Sequence, residues 1–257
     1  ETLPWACRTS RYGSEVEILA TKTQIDIGVI PRANFRGTSA MFRRLAGTPL
    51  QLAETEVVTE MTYPALVSTG SFLTLTLFSG NQIVHPAIVY NAFKDWDGTF
   101  YREKPLFYTG ISKECADMIE EVSEETCRLR DALQSKYDRD LSKIIKIYDW
   151  MKRAYPNDIG DDSSVYSIFA TNAPYAGLLH SMIKENNGEY SPNYGSRYFT
   201  EDIPFGLLVF VGIAELVGVS VPTSIEIVQW AQDKMGKEYL DVDGKVRGKD
   251  ISYSRAP

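Results

Sequence analysis

The chain has 257 residues, 44% of them apolar, which is enough to fill the interior of one large domain or two modest ones. Twenty-seven Lys and Arg stand against 34 Asp and Glu, and a net charge of −7 leaves no surplus of positive charge to neutralise a phosphate backbone, so nucleic acid drops out as a partner. Three cysteines at spacings that suit neither a disulfide framework nor a Cys-x-x-Cys metal site point to a reducing cytoplasm.

The chain opens at Glu1 inside what reads as a structured segment, and the expectation is that it begins within a longer protein. No basic start followed by an apolar core is present, so no secretory signal is read here. Val16, Ile18 and Ala20 alternate with polar neighbours, and Ile25, Ile27 and Val29 do the same beyond Thr21-Lys22-Thr23, which predicts two short strands. A helix is expected over residues 38–45, followed by a mixed segment through Val57, Val58 and Met61 to Leu77. Strands interleaved with helices suggest an α/β layer.

After His85-Pro86 the pattern turns helical. Leu141, Ile144, Ile145, Tyr148, Met151 and Tyr155 fall on one stripe at helical spacing. Residues 203–218 are apolar almost all round, which predicts a buried central helix; their longest apolar run, 203–214, has about 12 residues where a membrane span needs about 20, so no membrane partner is read. Thr223 and Glu226 have the spacing of a capping box, and Gly236 stands where a C-cap glycine belongs. The fold class expected is α/β followed by all-α.

Only two histidines occur, and His85 sits where the α/β part meets the helical part, a favoured place for a small-molecule site. A neutral imidazole there can take a proton from an incoming amine; the alternative is a histidine hydrogen-bonded at a domain seam. His180 has no comparable setting and reads as structural or surface. Asp202 directly precedes the apolar helix, with Pro204 in its first turn, so it reads as an N-cap or as the carboxylate that orients an imidazole, or both. Arg197 carries a fork of donors that matches a substrate carboxylate, or else forms a surface ion pair. Cys7 reads as a packing cysteine, since only Arg8 stands by to lower its pKa. Asp241-Val242-Asp243-Gly244 lacks the glutamate of a calcium loop and reads as a turn.

Several runs together resemble the octopine/nopaline-type opine dehydrogenases: Leu3-Pro4-Trp5-Ala6-Cys7-Arg8, Asn81-Gln82-Ile83-Val84-His85-Pro86, Arg197-Tyr198-Phe199-Thr200-Glu201-Asp202-Ile203-Pro204, Gly212-Ile213-Ala214-Glu215-Leu216-Val217-Gly218, Met235-Gly236-Lys237-Glu238-Tyr239, Gly248-Lys249-Asp250 and Arg255-Ala256-Pro257. The resemblance implies the remaining half of a Rossmann-like nucleotide domain over residues 1–79 and a helical, substrate-binding and catalytic domain over residues 80–257. It implies His85 and Asp202 as a catalytic dyad, Arg197 as a binder of a substrate carboxylate, and Thr2 and Cys7 in the lining of the keto-acid pocket. It further implies NAD or NADP as cofactor, NADH favoured, with an α-keto acid such as pyruvate and an amino acid as substrates, and no metal. Glu1, beside Thr2, would pair with a guanidinium and so favour L-arginine, with octopine as product, unless it is only an exposed terminal residue.

One departure is large. No Gly-x-Gly-x-x-Gly or Gly-x-Gly-x-x-Ala run occurs, so the turn that holds a pyrophosphate in dinucleotide folds is missing from this sequence. A non-catalytic binding or structural protein that retains the fold without its cofactor half is therefore the rival reading. Another NAD-dependent dehydrogenase with a helical C-terminal domain is a further one.

Overall fold

The computed structural model describes residues 5–11, 13–31, 34, 36–38, 40, 41, 65–69 and 71–257. Both strands expected from the alternating pattern form: β2 (Glu15–Thr21) pairs antiparallel with β1 (Trp5–Arg11), and β3 (Gln24–Ile27) pairs in parallel with β4 (Ala65–Ser68). A parallel pair needs a crossover connection. Helical residues 36–38, 40 and 41 lie in that crossover, overlapping the start of the helix expected at 38–45; the rest of that helix, and Val57, Val58 and Met61, fall outside the described residues. Within β2 the alternation marks the strand but not a buried face, since Val16 is 60% and Ile18 57% exposed.

The helical body begins with α1 (Phe72–Leu77) and α2 (Gly80–Phe93). Ile83, Val84, Ala87, Ile88, Val89 and Phe93 are all buried, so α2 is a core helix covered on most of its circumference. The span Phe72–Phe93 is long and apolar enough to cross a membrane, yet most of it is buried within the fold, as suits a core segment. Pro86 inside α2 removes one backbone hydrogen bond, a change that costs about 3 kcal/mol in an isolated helix and is carried here by packing against α3 (Lys113–Tyr137), α8 (Pro222–Met235) and the turn that precedes α7 (Leu208–Val217). α3 begins at Ser112, whose hydroxyl accepts from the Cys115 amide, and ends at Asp138 in the left-handed region.

The stripe expected from Leu141 to Tyr155 is helical only in its second half, α4 (Ile147–Ala154). Leu141 and Ile144 are fully buried, but the chain at 141–146 is held as a turn: Gln134 accepts from the Leu141 amide, Arg130 donates to the Ile144 carbonyl, and Ser123 accepts from the Ile147 amide. Side chains of α3 thus take up the backbone groups that a longer helix would have used itself. After α5 (Val165–Thr171), β5 (Met182–Lys184) and β6 (Tyr190–Pro192) form a small antiparallel ribbon, a break in the otherwise helical second half.

The expected capping box at Thr223 and Glu226 does not form. α8 starts two residues earlier than such a cap would place it, at Pro222, and its free amides are served by Glu125 of α3, which accepts from the amides of Thr223 and Ser224 and from the Ser224 hydroxyl. Glu226 instead takes the hydroxyl of Tyr90. Gly236 closes α8 with φ 63°, as its sequence position predicts.

Candidate active site

His85 projects from the second turn of α2 into a nest of aromatic rings and is 6% exposed. Tyr198 presents its ring at 4.8 Å and Phe107 at 5.5 Å, both roughly edge to face. Burial of an imidazole requires partners for its nitrogens, and both are met: Nδ1 lies 2.8 Å from Oδ2 of Asp202, and Nε2 lies 2.7 Å from the hydroxyl of Tyr108. A carboxylate has only acceptor oxygens, so Nδ1 carries the proton. Nε2 of the neutral ring is then the acceptor, and Tyr108 donates to it.

Asp202 reaches His85 across 117 positions because of the local backbone. α6 (Arg197–Thr200) runs into a π turn at Ile203–Leu207, where the Leu207 amide bonds the Asp202 carbonyl at 2.9 Å. Such wide turns re-aim side chains and are common at functional sites. Gly206 within it lies against Gln82, one turn before His85; a Cβ there would stand 2.9 Å from the Gln82 Cβ. The missing side chain lets the two backbones approach closely enough for the dyad to form. Asp202 makes no side-chain cap bond to the helix it precedes, so of its two expected uses only the contact with the imidazole is present.

Tyr108 was not singled out in the sequence, and no spacing rule links it to residues 85 and 202. Its ring is stacked on Tyr175 at 4.1 Å and set edge-on to Phe107 at 4.7 Å. Burial pushes its phenol well above the ordinary tyrosine range, helped by Tyr198, Tyr155 and Asp202, with Arg197 acting in the opposite sense. It therefore stays protonated at neutral pH. Burial likewise raises the Tyr198 phenol, again against the influence of Arg197.

Arg197 is thus near enough to the dyad to be felt by its tyrosines. Its side chain is 61% exposed, and its ion pair with Glu201 is long, at 3.8 Å. Exposed pairs of this kind contribute at most about 1 kcal/mol, so Glu201 does not hold the guanidinium away from a carboxylate ligand. Cys7 lies on β1 opposite Ile18 and is exposed, which overturns the expectation of a buried packing cysteine. Glu1 and Thr2 fall outside the described residues. His180, read as structural or surface, is buried: it packs edge-on against Phe93 and Phe107, and burial drives its pKa down to about 4.

Residues 68–235 match the family described as NAD/NADP octopine/nopaline dehydrogenase, alpha-helical domain. The whole chain aligns with a tauropine dehydrogenase of Arabella iricolor at 40% identity, over 62% of that protein, and with an octopine dehydrogenase of Pecten maximus at 39%, over 61% of it. Among solved structures, octopine dehydrogenase with NADH and L-arginine superposes on the whole chain with a TM-score of 0.79 at 37% identity, over 60% of that structure. A complex of octopine dehydrogenase with NADH and agmatine gives 0.80 at 36%, also over 60%. The chain therefore spans about 60% of the length of the relatives that it matches.

Proposed function

The chain belongs to the octopine/nopaline dehydrogenase family, and from that premise we propose that the whole protein catalyses NAD(P)H-dependent reductive condensation of an α-keto acid, pyruvate first among them, with the amino group of an amino acid. The observation that carries the reading is the buried contact between His85 and Asp202, a base with its orienting carboxylate set beside an exposed arginine. Residues 1–79 would supply the second half of the nucleotide domain and residues 80–257 the substrate side.

The residues present fit a dinucleotide only in part. The parallel β3–β4 pair is the kind of sheet on which nucleotides bind, whereas the sequence contains no glycine-rich turn for a pyrophosphate. NAD(P)H, NADH favoured, would supply the hydride. The work of this chain lies in handling the substrates and their protons. His85 takes the proton from the incoming ammonium through Nε2, leaving a neutral amine to attack the keto carbon. The imidazolium so formed is stabilised by Asp202 on Nδ1 and later returns the proton to the hydroxyl that leaves as water. Arg197 pairs with a substrate carboxylate, which fixes the reacting carbon relative to the base. Thr2 and Cys7 would line the keto-acid pocket.

The choice of amine is the finer part of the proposal. Glu1 offers a carboxylate to a guanidinium, which makes L-arginine the first candidate and octopine the product. The test is a panel of amino acids and taurine with pyruvate and NADH, using the whole protein. Arginine should give the highest kcat/KM, and Glu1→Gln should erode that preference while leaving the KM for pyruvate unchanged. Better use of alanine, glycine or taurine removes arginine but leaves the dyad in place; no turnover with any amine would favour a non-catalytic protein.

A further inference from the structure

Both nitrogens of His85 are engaged, Nδ1 by Asp202 and Nε2 by Tyr108. The nitrogen that must act as base is therefore the one covered by a phenol. A substrate ammonium can reach it in two ways, by displacing the hydroxyl or by working through it. Displacement requires the Tyr108 ring to swing away. That ring is held on one face by Tyr175, stacked at 4.1 Å with a 17° angle between planes, and on its edge by Phe107 at 4.7 Å, with Phe169 beyond at 6.1 Å. Leaving its place breaks a packed aromatic cluster as well as a 2.7 Å hydrogen bond.

Working through it requires no movement of heavy atoms. The hydroxyl that donates to Nε2 keeps its oxygen lone pairs, and these can accept an N–H from the substrate. Resting on the dyad reading above, we propose that Tyr108 is a second proton-transfer residue of this site, its hydroxyl carrying the proton between the substrate nitrogen and Nε2 of His85. In the forward sense a substrate N–H bond breaks as an O–H bond forms on Tyr108. Its original O–H bond breaks as the N–H bond forms on Nε2. The products are a neutral amine, an unchanged tyrosine and an imidazolium paired with Asp202; nothing is oxidised or reduced. The same path in reverse delivers the proton to the hydroxyl that departs as water.

Two further observations agree with this. The phenol lies well above its ordinary pKa, chiefly through burial, so it passes a proton on rather than surrendering one to solvent. Arg197 is one of the charges felt at that phenol. The titratable and charged groups around Tyr108 are His85 from α2, Tyr175 stacked on its ring, Asp202, Arg197 and Tyr198 from the segment around α6, and Tyr155 at the end of α4.

The test uses the whole protein with NADH, pyruvate and its best amine, in single-turnover mode so that the chemical step is read. Tyr108→Phe should slow that step roughly 10²-fold, as for other lost acid–base groups, with the KM for pyruvate and the binding of NADH retained. In mixtures of light and heavy water the wild-type rate should follow a bowed curve, from two protons in motion, and the Phe variant a straight line. His85→Ala is measured alongside. A slow His85→Ala with a Tyr108→Phe that keeps the wild-type rate and curvature overturns the relay and spares the dyad; wild-type rates in both overturn the dyad as well. Should Tyr108→Phe fail to bind NADH, 3-fluorotyrosine at position 108, which keeps the hydroxyl and lowers its pKa, carries the test: the relay predicts a changed rate with the bowed curve retained, and an unchanged rate overturns it.

Discussion

At Asp202 two uses compete for one side chain, capping the helix that follows or orienting an imidazole. The π turn decides between them by rotating the carboxylate towards α2, and its bond to His85 at 2.8 Å replaces the cap. From the residues alone both uses stood open, because helix-start signals act within one turn whereas the dyad spans 117 positions; the pairing was legible only through the resemblance. Tyr108 was illegible by either route, since its role depends on the packing of rings from separate parts of the chain. Of the two readings of His180, structural or surface, the structure gives the first: its burial comes from Phe93 and Phe107, neither adjacent in sequence. It has a measurable consequence. With its folded pKa at about 4 against 6.5 for an ordinary imidazole, the unfolded chain binds the extra proton first as pH falls. The stability His180 contributes is therefore complete above about pH 6.5 and lost as pH falls towards 4, a window worth about 3 kcal/mol. Urea unfolding at pH 7 and pH 5 should show a smaller drop for His180→Phe than for the wild type. Equal drops would contradict the assignment.

Elements were legible in kind but not in their ends. Hydrophobic periodicity located the core around 203–218 and the helix ending at Gly236, because both depend on local spacing. It overextended the stripe from Leu141, because an i, i+3 spacing buries a turn as readily as a helix once side chains of α3 satisfy the backbone. The start of α8 shows the same principle: its amides are capped by Glu125, 98 and 99 positions away, and not by a neighbour. Loss of that carboxylate leaves two amides and the Ser224 hydroxyl without their acceptor. Glu125→Ala should therefore cost about 1–3 kcal/mol of stability, and Glu125→Gln, which keeps one carbonyl acceptor, clearly less. Equilibrium denaturation reads both values, and an Ala variant as stable as the wild type would show that the helix start needs no such partner.

Across the whole molecule, the runs that carry the family resemblance become close approaches between distant segments. Gly212 of α7 accommodates Pro257, whose ring would be met at 2.7 Å by any Cβ there, and Gly248 lies against the backbone of Glu238. The strands are tied to the helical body where Thr23 donates to the Arg153 carbonyl and Arg153 meets Asp26 at 3.3 Å, beside Lys22 over the ring of Trp150. The site itself rests on a further convergence, of α2, the aromatic segment at 107–108 and the segment at Asp202, through the contacts of His85 with Asp202, Tyr108 and Phe107, and the proposed reaction depends on it. The most direct measurement is the single-turnover rate of reductive condensation by the whole protein, wild type against His85→Ala, with NADH binding measured on the same samples. A fall of roughly 10²-fold or more is expected, with NADH binding intact. A wild-type rate from the alanine variant would remove the His85–Asp202 pair from the chemistry.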